Sequence, residues 1–136
     1  EVVALWEPED LVEWISHLSV ARGCTLAVKL GSGGSLVRGR EDETAWHVPA
    51  YPAATLDTTG AGDAYCGGFL AGLVAGRSAI EAAAMGTVSA SYVVEAVGAL
   101  DTPLPDTEER AKRLEEVLNG ARSVASWPSG NHAEGA

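Results

Sequence analysis

The 136-residue sequence predicts an α/β fold: part of a three-layer sandwich, with a mostly parallel sheet between helices and a hairpin at the sheet edge. Three observations predict it. Residues 24–30 (CTLAVKL) are short and nearly all apolar, as in a strand covered on both faces. Three glycines in residues 31–34 then force a turn, and Ser35-Leu-Val-Arg38 resumes as a second strand, which makes a hairpin. Two later segments, 62–75 and 80–95, are small or apolar nearly all round, the composition of buried helices.

The remaining elements follow in order. Pro8, Glu9 and Asp10 suit a helix start, and Leu11, Trp14, Ile15 and Leu18 recur at helical spacing until Gly23. Residues 44–48 form a further strand, closed by Pro49 and Pro52. Residues 53–62 are a loop of small and hydroxyl side chains. Gly76 ends the first apolar helix, and Ser78 with Glu81 is a capping box for the second. Gly98 ends that one. Pro103 and Pro105 mark a loop, and Asp106 with Glu109 forms another capping box. A surface helix follows, striped by Ala111, Leu114, Val117 and Leu118. Residues 1–119 make one domain, and residues 120–136 read as a flexible tail.

Charge narrows the function. Nineteen acidic residues against nine basic ones give a net charge of −10, which argues against a nucleic-acid or anionic-membrane partner. No apolar run is long enough to span a bilayer. The chain opens Glu1-Val2-Val3, without Met and without a basic leader. The reading is a piece of something longer, with no secretory signal. Cys24 and Cys66 lie in apolar segments and read as reduced core residues of a cytoplasmic protein.

The chemistry concentrates in Asp57-Thr-Thr-Gly-Ala-Gly-Asp63, where a polar loop meets a helix start. Glycines let the backbone turn its N–H groups outward, and a helix N-terminus adds unpaired donors, so Gly60, Ala61 and Gly62 suit an anion. Arg77 is the nearest basic side chain in this stretch, at the far end of the helix. Asp63 either caps the helix or faces a substrate hydroxyl as general base while the amides hold a transferring phosphoryl group. Asp57 either caps its own turn or serves the site. Tyr65 occupies the third glycine position of a dinucleotide fingerprint, which therefore fails, and no P-loop occurs.

That segment, continuing Ala64-Tyr-Cys-Gly-Gly-Phe69, resembles the C-terminal signature of the ribokinase-like (PfkB) carbohydrate kinases. Val28-Lys-Leu-Gly31-Ser-Gly-Gly34, Val48-Pro-Ala-Tyr-Pro52 and Val97-Gly98-Ala99 resemble its flanks. The resemblance implies a ribokinase-like fold and ATP-dependent phosphoryl transfer to a hydroxyl of a sugar or small polyol, with Mg²⁺ accompanying ATP and K⁺ as an activator. It implies Asp63 as the base and Gly60, Ala61 and Gly62 as the anion hole. Gly31 and Gly34 would lie against the nucleotide. Asp57 and Thr59 would hold a monovalent cation with backbone groups of Val93, Ala96 and Gly98, and Glu1 would act near Mg²⁺. Lys29 stands where the family often has Thr, and either reaches a phosphate or snorkels to solvent. Gly86 stands where a nucleotide-contacting Asn is common.

Family members are longer, with most of their acceptor site in an N-terminal half. The implied partners are ATP, a small sugar-like acceptor, and either a second copy or a companion N-terminal half covering the apolar surfaces. Two alternatives stay open: a nucleotide-binding chain without activity, and a nucleoside or hydroxymethylpyrimidine kinase of the same superfamily.

Overall fold

The computed structural model describes residues 8–129, so Glu1 lies outside the described residues. Asp10 starts α1 (Leu11–Arg22): its carboxylate accepts from the N–H groups of Val12 and Glu13 at 2.9 and 3.1 Å. Two of the donors that a helix start leaves open are thereby satisfied. Gly23 closes the helix in the left-handed region, φ 58°.

Four strands follow: β1 (Leu26–Lys29), β2 (Ser35–Arg38), β3 (Ala45–Val48) and β4 (Arg122–Val124). They lie in the order β1-β2-β3-β4 and every pair is antiparallel. The expected mostly parallel sheet is therefore corrected. The turns after β1 and β2 are too short for the crossover of roughly a dozen or more residues that parallel pairing requires. The hairpin itself is present, with Leu26 opposite Arg38 and Lys29 opposite Ser35.

Burial on both faces belongs to β2 rather than to residues 24–30. All four β2 residues are buried, whereas β1 is a half-buried edge strand. Alternation explains it. Leu36 packs with Leu11, Val12 and Ile15 of α1, and Arg38 reaches the Ser19 hydroxyl of α1 at 3.1 Å. On the other face Val37 packs with Ala83 and Val88, while Ser35 accepts from the Tyr65 hydroxyl at 3.0 Å. One helix thus covers one sheet face, and the later helices cover the other.

Those helices are α2 (Ala61–Val74), α3 (Ala79–Val94) and α4 (Thr107–Gly120). Ser78 caps α3 with a bond from the Glu81 N–H at 3.2 Å, as the capping box requires. Asp106 makes no such bond. Glu109 instead pairs with Arg113 at 2.8 Å, one turn along α4. Helix α3 is buried as its composition predicts. Helix α2 is not: Leu70 is 58% and Val74 89% exposed. Its buried face is a seam of glycines. A Cβ on Gly68 would fall 2.7 Å from the Met85 carbonyl oxygen, and one on Gly86 the same distance from that of Tyr65. Two helices meet backbone to backbone here, which leaves Gly86 to packing. Cys66 lies on the outer side of α2 and is exposed, and Cys24 is half-buried, so neither is the core residue expected. Both are free thiols.

The stretch expected to fray from residue 120 is structured through residue 129. β4 pairs with β3, and Trp127 stacks on His47 with ring centres 4.7 Å apart. The Trp127 N–H donates to Asp10 at 2.9 Å and its carbonyl accepts from Leu11 at 2.9 Å. Residues 130–136 lie outside the described residues. Among the described residues no helix is long and apolar enough to cross a membrane.

Candidate active site

The glycine bend sits where the loop after β3 enters α2. Gly60 has φ 83°, and a Cβ there would meet the Ala99 Cβ at 2.7 Å, so both conformation and space demand glycine. The carbonyls of Thr58 and Gly60 accept from Ala61 and Ala64 at 3.1 and 2.9 Å. The Ala61 amide is thus committed to the turn. Among the described residues the N–H groups of Gly60, Gly62 and Asp63 have no protein acceptor, and no side chain caps the helix. The free donors of the bend are these three: Gly60 and Gly62 as the resemblance implies, with Asp63 in place of Ala61. Asp63 is exposed in the first turn of α2 beside them.

Asp57 secures the loop that carries the bend. Its Oδ1 accepts from the Thr59 N–H at 2.9 Å, and its Oδ2 accepts from the Gly98 N–H at 3.1 Å. The Thr59 side chain, then the Thr59 and Gly98 amides, hold its carboxyl below the ordinary carboxylate value. The N–H groups of Leu56 and Asp57 donate to the Val94 carbonyl at 2.7 and 3.2 Å. Ala96 donates to Val93 at 3.3 Å. Asp57, Thr59 and Gly98 are thus brought together, with Val93 and Ala96 at the same end of α3. Asp57 thus caps its own turn, the first of the two readings of this residue. Among the described residues no cluster of three or more His, Cys, Asp or Glu could hold a metal.

The second glycine turn, Gly31–Gly33 with Gly34, follows β1. Gly31 is exposed. Gly34 packs onto the end of β3, where a Cβ would lie 2.2 Å from the Val48 carbonyl oxygen. Lys29 links the two turns: its Nζ lies 3.5 Å from the Gly62 carbonyl oxygen and 3.8 Å from the Cys66 sulfur. Arg77, the nearest basic residue along this stretch, instead pairs with Glu81 at 3.4 Å. Ala99 appears in the sequence only as part of a resembling flank, and its place against the bend was not foreseen, because nothing local marks a small side chain as the neighbour of a distant bend.

The family model described as "pfkB family carbohydrate kinase" matches residues 2–107. A nucleoside kinase of Methanocaldococcus jannaschii is 37% identical over 112 residues, covering 82% of this chain and 33% of that protein. An inositol 3-kinase of Arabidopsis thaliana is 37% identical over 87 residues, covering 64% of this chain and 23% of its own length. The crystal structure of a probable sugar kinase from Rhizobium etli superposes with a TM-score of 0.67 at 28% identity, over 85% of this chain and 34% of that one. The chain therefore spans between a quarter and a third of such relatives' length. Its helices and small sheet are those of a ribokinase-like fold. On the family match, the chain belongs to the pfkB family of carbohydrate kinases.

Proposed function

We propose that this chain carries the phosphate-holding and base-bearing part of a cytoplasmic kinase that transfers the γ-phosphoryl group of ATP to a hydroxyl of a sugar or related polyol. The observation that carries this reading is the Gly60 bend, with unpaired amides beside an exposed Asp63. Asp63 takes the proton of the acceptor hydroxyl. The acceptor oxygen bonds to the γ-phosphorus as the bond to the β–γ bridging oxygen breaks, and ADP departs with that electron pair. The bend amides hold the charge on the phosphoryl oxygens throughout.

A carboxylate kept anionic beside main-chain carbonyls suits a hard monovalent cation, so Asp57 with Thr59, Val93, Ala96 and Gly98 would hold K⁺. Mg²⁺ would arrive with the nucleotide, its ligands commonly being phosphate oxygens and waters together with one or two carboxylates. When bound, these ions neutralise charge. Positioning remains the work of the bend.

The test is Asp63→Asn in the intact enzyme. ATP binding is retained while turnover falls at least ~10²-fold, as for general bases elsewhere. Turnover within threefold of wild type removes Asp63 from the role. A nucleoside acceptor is the second reading, favoured by the match to the M. jannaschii nucleoside kinase over 82% of this chain. ADP release measured against a panel of sugars and nucleosides separates the two. ATP binding without ADP release from any acceptor would instead favour a non-catalytic nucleotide-binding chain. The exposed Leu70 and Val74 on α2, with Leu100 and Leu104 beyond α3, support burial against a second copy or a companion N-terminal half.

A further inference from the structure

The segment after α4 returns across the start of α1. β4 is a three-residue edge strand, and Trp127 beyond it is anchored by its backbone. The Trp127 N–H donates to Asp10 at 2.9 Å, and the Leu11 N–H donates to the Trp127 carbonyl at 2.9 Å. The Ser129 N–H donates to the Glu9 carbonyl at 3.1 Å. This mooring sets the indole against His47, with ring centres 4.7 Å apart and planes 19° from parallel. The indole Nε1 is buried and, among the described residues, has no acceptor. Its place is therefore set by the backbone bonds and the stack, not by its own donor.

His47 passes the constraint on. A carbonyl only accepts, so Nε2 carries a proton and donates to the Gly33 carbonyl at 2.7 Å. The glycine turn closes on itself: Leu30 donates to Gly34, Gly33 to Leu30 and Gly34 to Gly31, at 2.8, 3.0 and 3.2 Å. His47 ties that closed loop to β3. The turn also stands beside the bend, because β1 ends at Lys29, whose Nζ lies 3.5 Å from the Gly62 carbonyl oxygen.

We infer that Trp127 and His47 are positioning residues: through their stack, the segment after α4 holds the Gly31–Gly34 turn in the geometry that meets the nucleotide. The inference rests on the phosphoryl-transfer reading above. Neither side chain needs to touch the nucleotide.

The experiment compares the 136-residue chain with His47→Ala, Trp127→Ala, their double variant and Trp127→Phe, by hydrogen exchange and by titration with ATP·Mg²⁺. Each alanine variant speeds amide exchange in residues 30–34 while α3 exchanges as in wild type. Each weakens ATP binding by about fivefold, the scale of one neutral hydrogen bond. The double variant weakens it no further than either single one, because both act on one contact. Trp127→Phe keeps a ring for the stack and retains the affinity. His47→Ala leaves the Asp10 mooring intact, so the coupling stays testable if Trp127→Ala does not fold. Unchanged exchange in residues 30–34 overturns the coupling. Faster exchange with unchanged affinity overturns the positioning role and leaves the kinase reading standing. Losses that multiply in the double variant, or exchange that rises equally throughout α3, make both residues structural and equally overturn it. Absence of ATP binding in wild type overturns the phosphoryl-transfer reading and the positioning role with it, while the exchange rates still decide the coupling.

Discussion

Asp57 and Gly98 are 41 residues apart, yet the Gly98 N–H donates to the Asp57 carboxylate at 3.1 Å and joins the loop before the bend to the turn after α3. The same carboxylate closes the turn at Thr59, so one side chain fixes two backbone segments. Asp57→Ala therefore frees the bend. Lower ATP affinity and faster proteolysis within residues 53–62 are the expected outcomes, read by titration and limited digestion. The depressed carboxyl sets the pH window. Its stabilising bonds are fully present above the ordinary value of 3.8 and are lost as pH falls through the lower folded value. Thermal melts of wild type and Asp57→Ala should differ at neutral pH and converge in strong acid.

Tyr65 gives the opposite pH signature. Burial pushes its hydroxyl up from 10.0 to about 12, against the opposing bond to Ser35. Below pH 10 the group contributes fully. Between the two values the unfolded chain loses its proton while the folded chain keeps it, so stability falls, by about 2–3 kcal/mol in all. Tyr65→Phe removes that alkaline slope. It leaves the buried Ser35 hydroxyl without its partner, at a cost of about 1–2 kcal/mol at pH 7. Urea unfolding across the alkaline range reads both effects.

Arg113 is 6% exposed, and its guanidinium carbon lies 4.0 Å from the centre of the Tyr92 ring and 4.5 Å from that of Tyr51. It donates to Ser91, Glu95 and Glu109 at 2.9, 2.9 and 2.8 Å. Arg113→Ala strips all of these contacts at once. A loss of about 2–4 kcal/mol follows, toward the low side because both carboxylates retain access to water. Arg113→Lys recovers only part of it, since an ammonium lacks the planar fork. Urea denaturation at neutral pH distinguishes the three proteins.

The outer side of α2 predicts association. With Leu70 and Val74 exposed, sedimentation should show a concentration-dependent mass for the chain alone, and Leu70→Ser with Val74→Ser should shift it toward monomer. A clean monomer across micromolar concentrations contradicts the expectation.

What the sequence disclosed was local. The glycine bend, the Ser78–Glu81 cap and the hairpin all rest on residues a few positions apart, where spacing alone carries the signal. Sheet direction was misjudged because an apolar run such as residues 24–30 says nothing about its neighbours, while the short turn beside it already demanded an antiparallel partner. β4 escaped notice for another reason. Its three residues carry no alternation, and it is formed by register with β3 and by Trp127 on His47. Helix α2 looked buried all round because small and apolar side chains do not announce which face meets protein. The Lys29–Gly62 approach depends on how β1 and α2 lie in space, which no local pattern encodes.

The glycine seam between α2 and α3 carries a liability. Since Gly68 and Gly86 leave no gap between the two backbones, a methyl group introduced at either would pry the helices apart and swing the Asp63 end of α2 outward. A variant of that kind would be mistaken for a damaged catalyst in any turnover assay. The fault would be one of alignment, seated in the seam between two helices rather than in the bend itself.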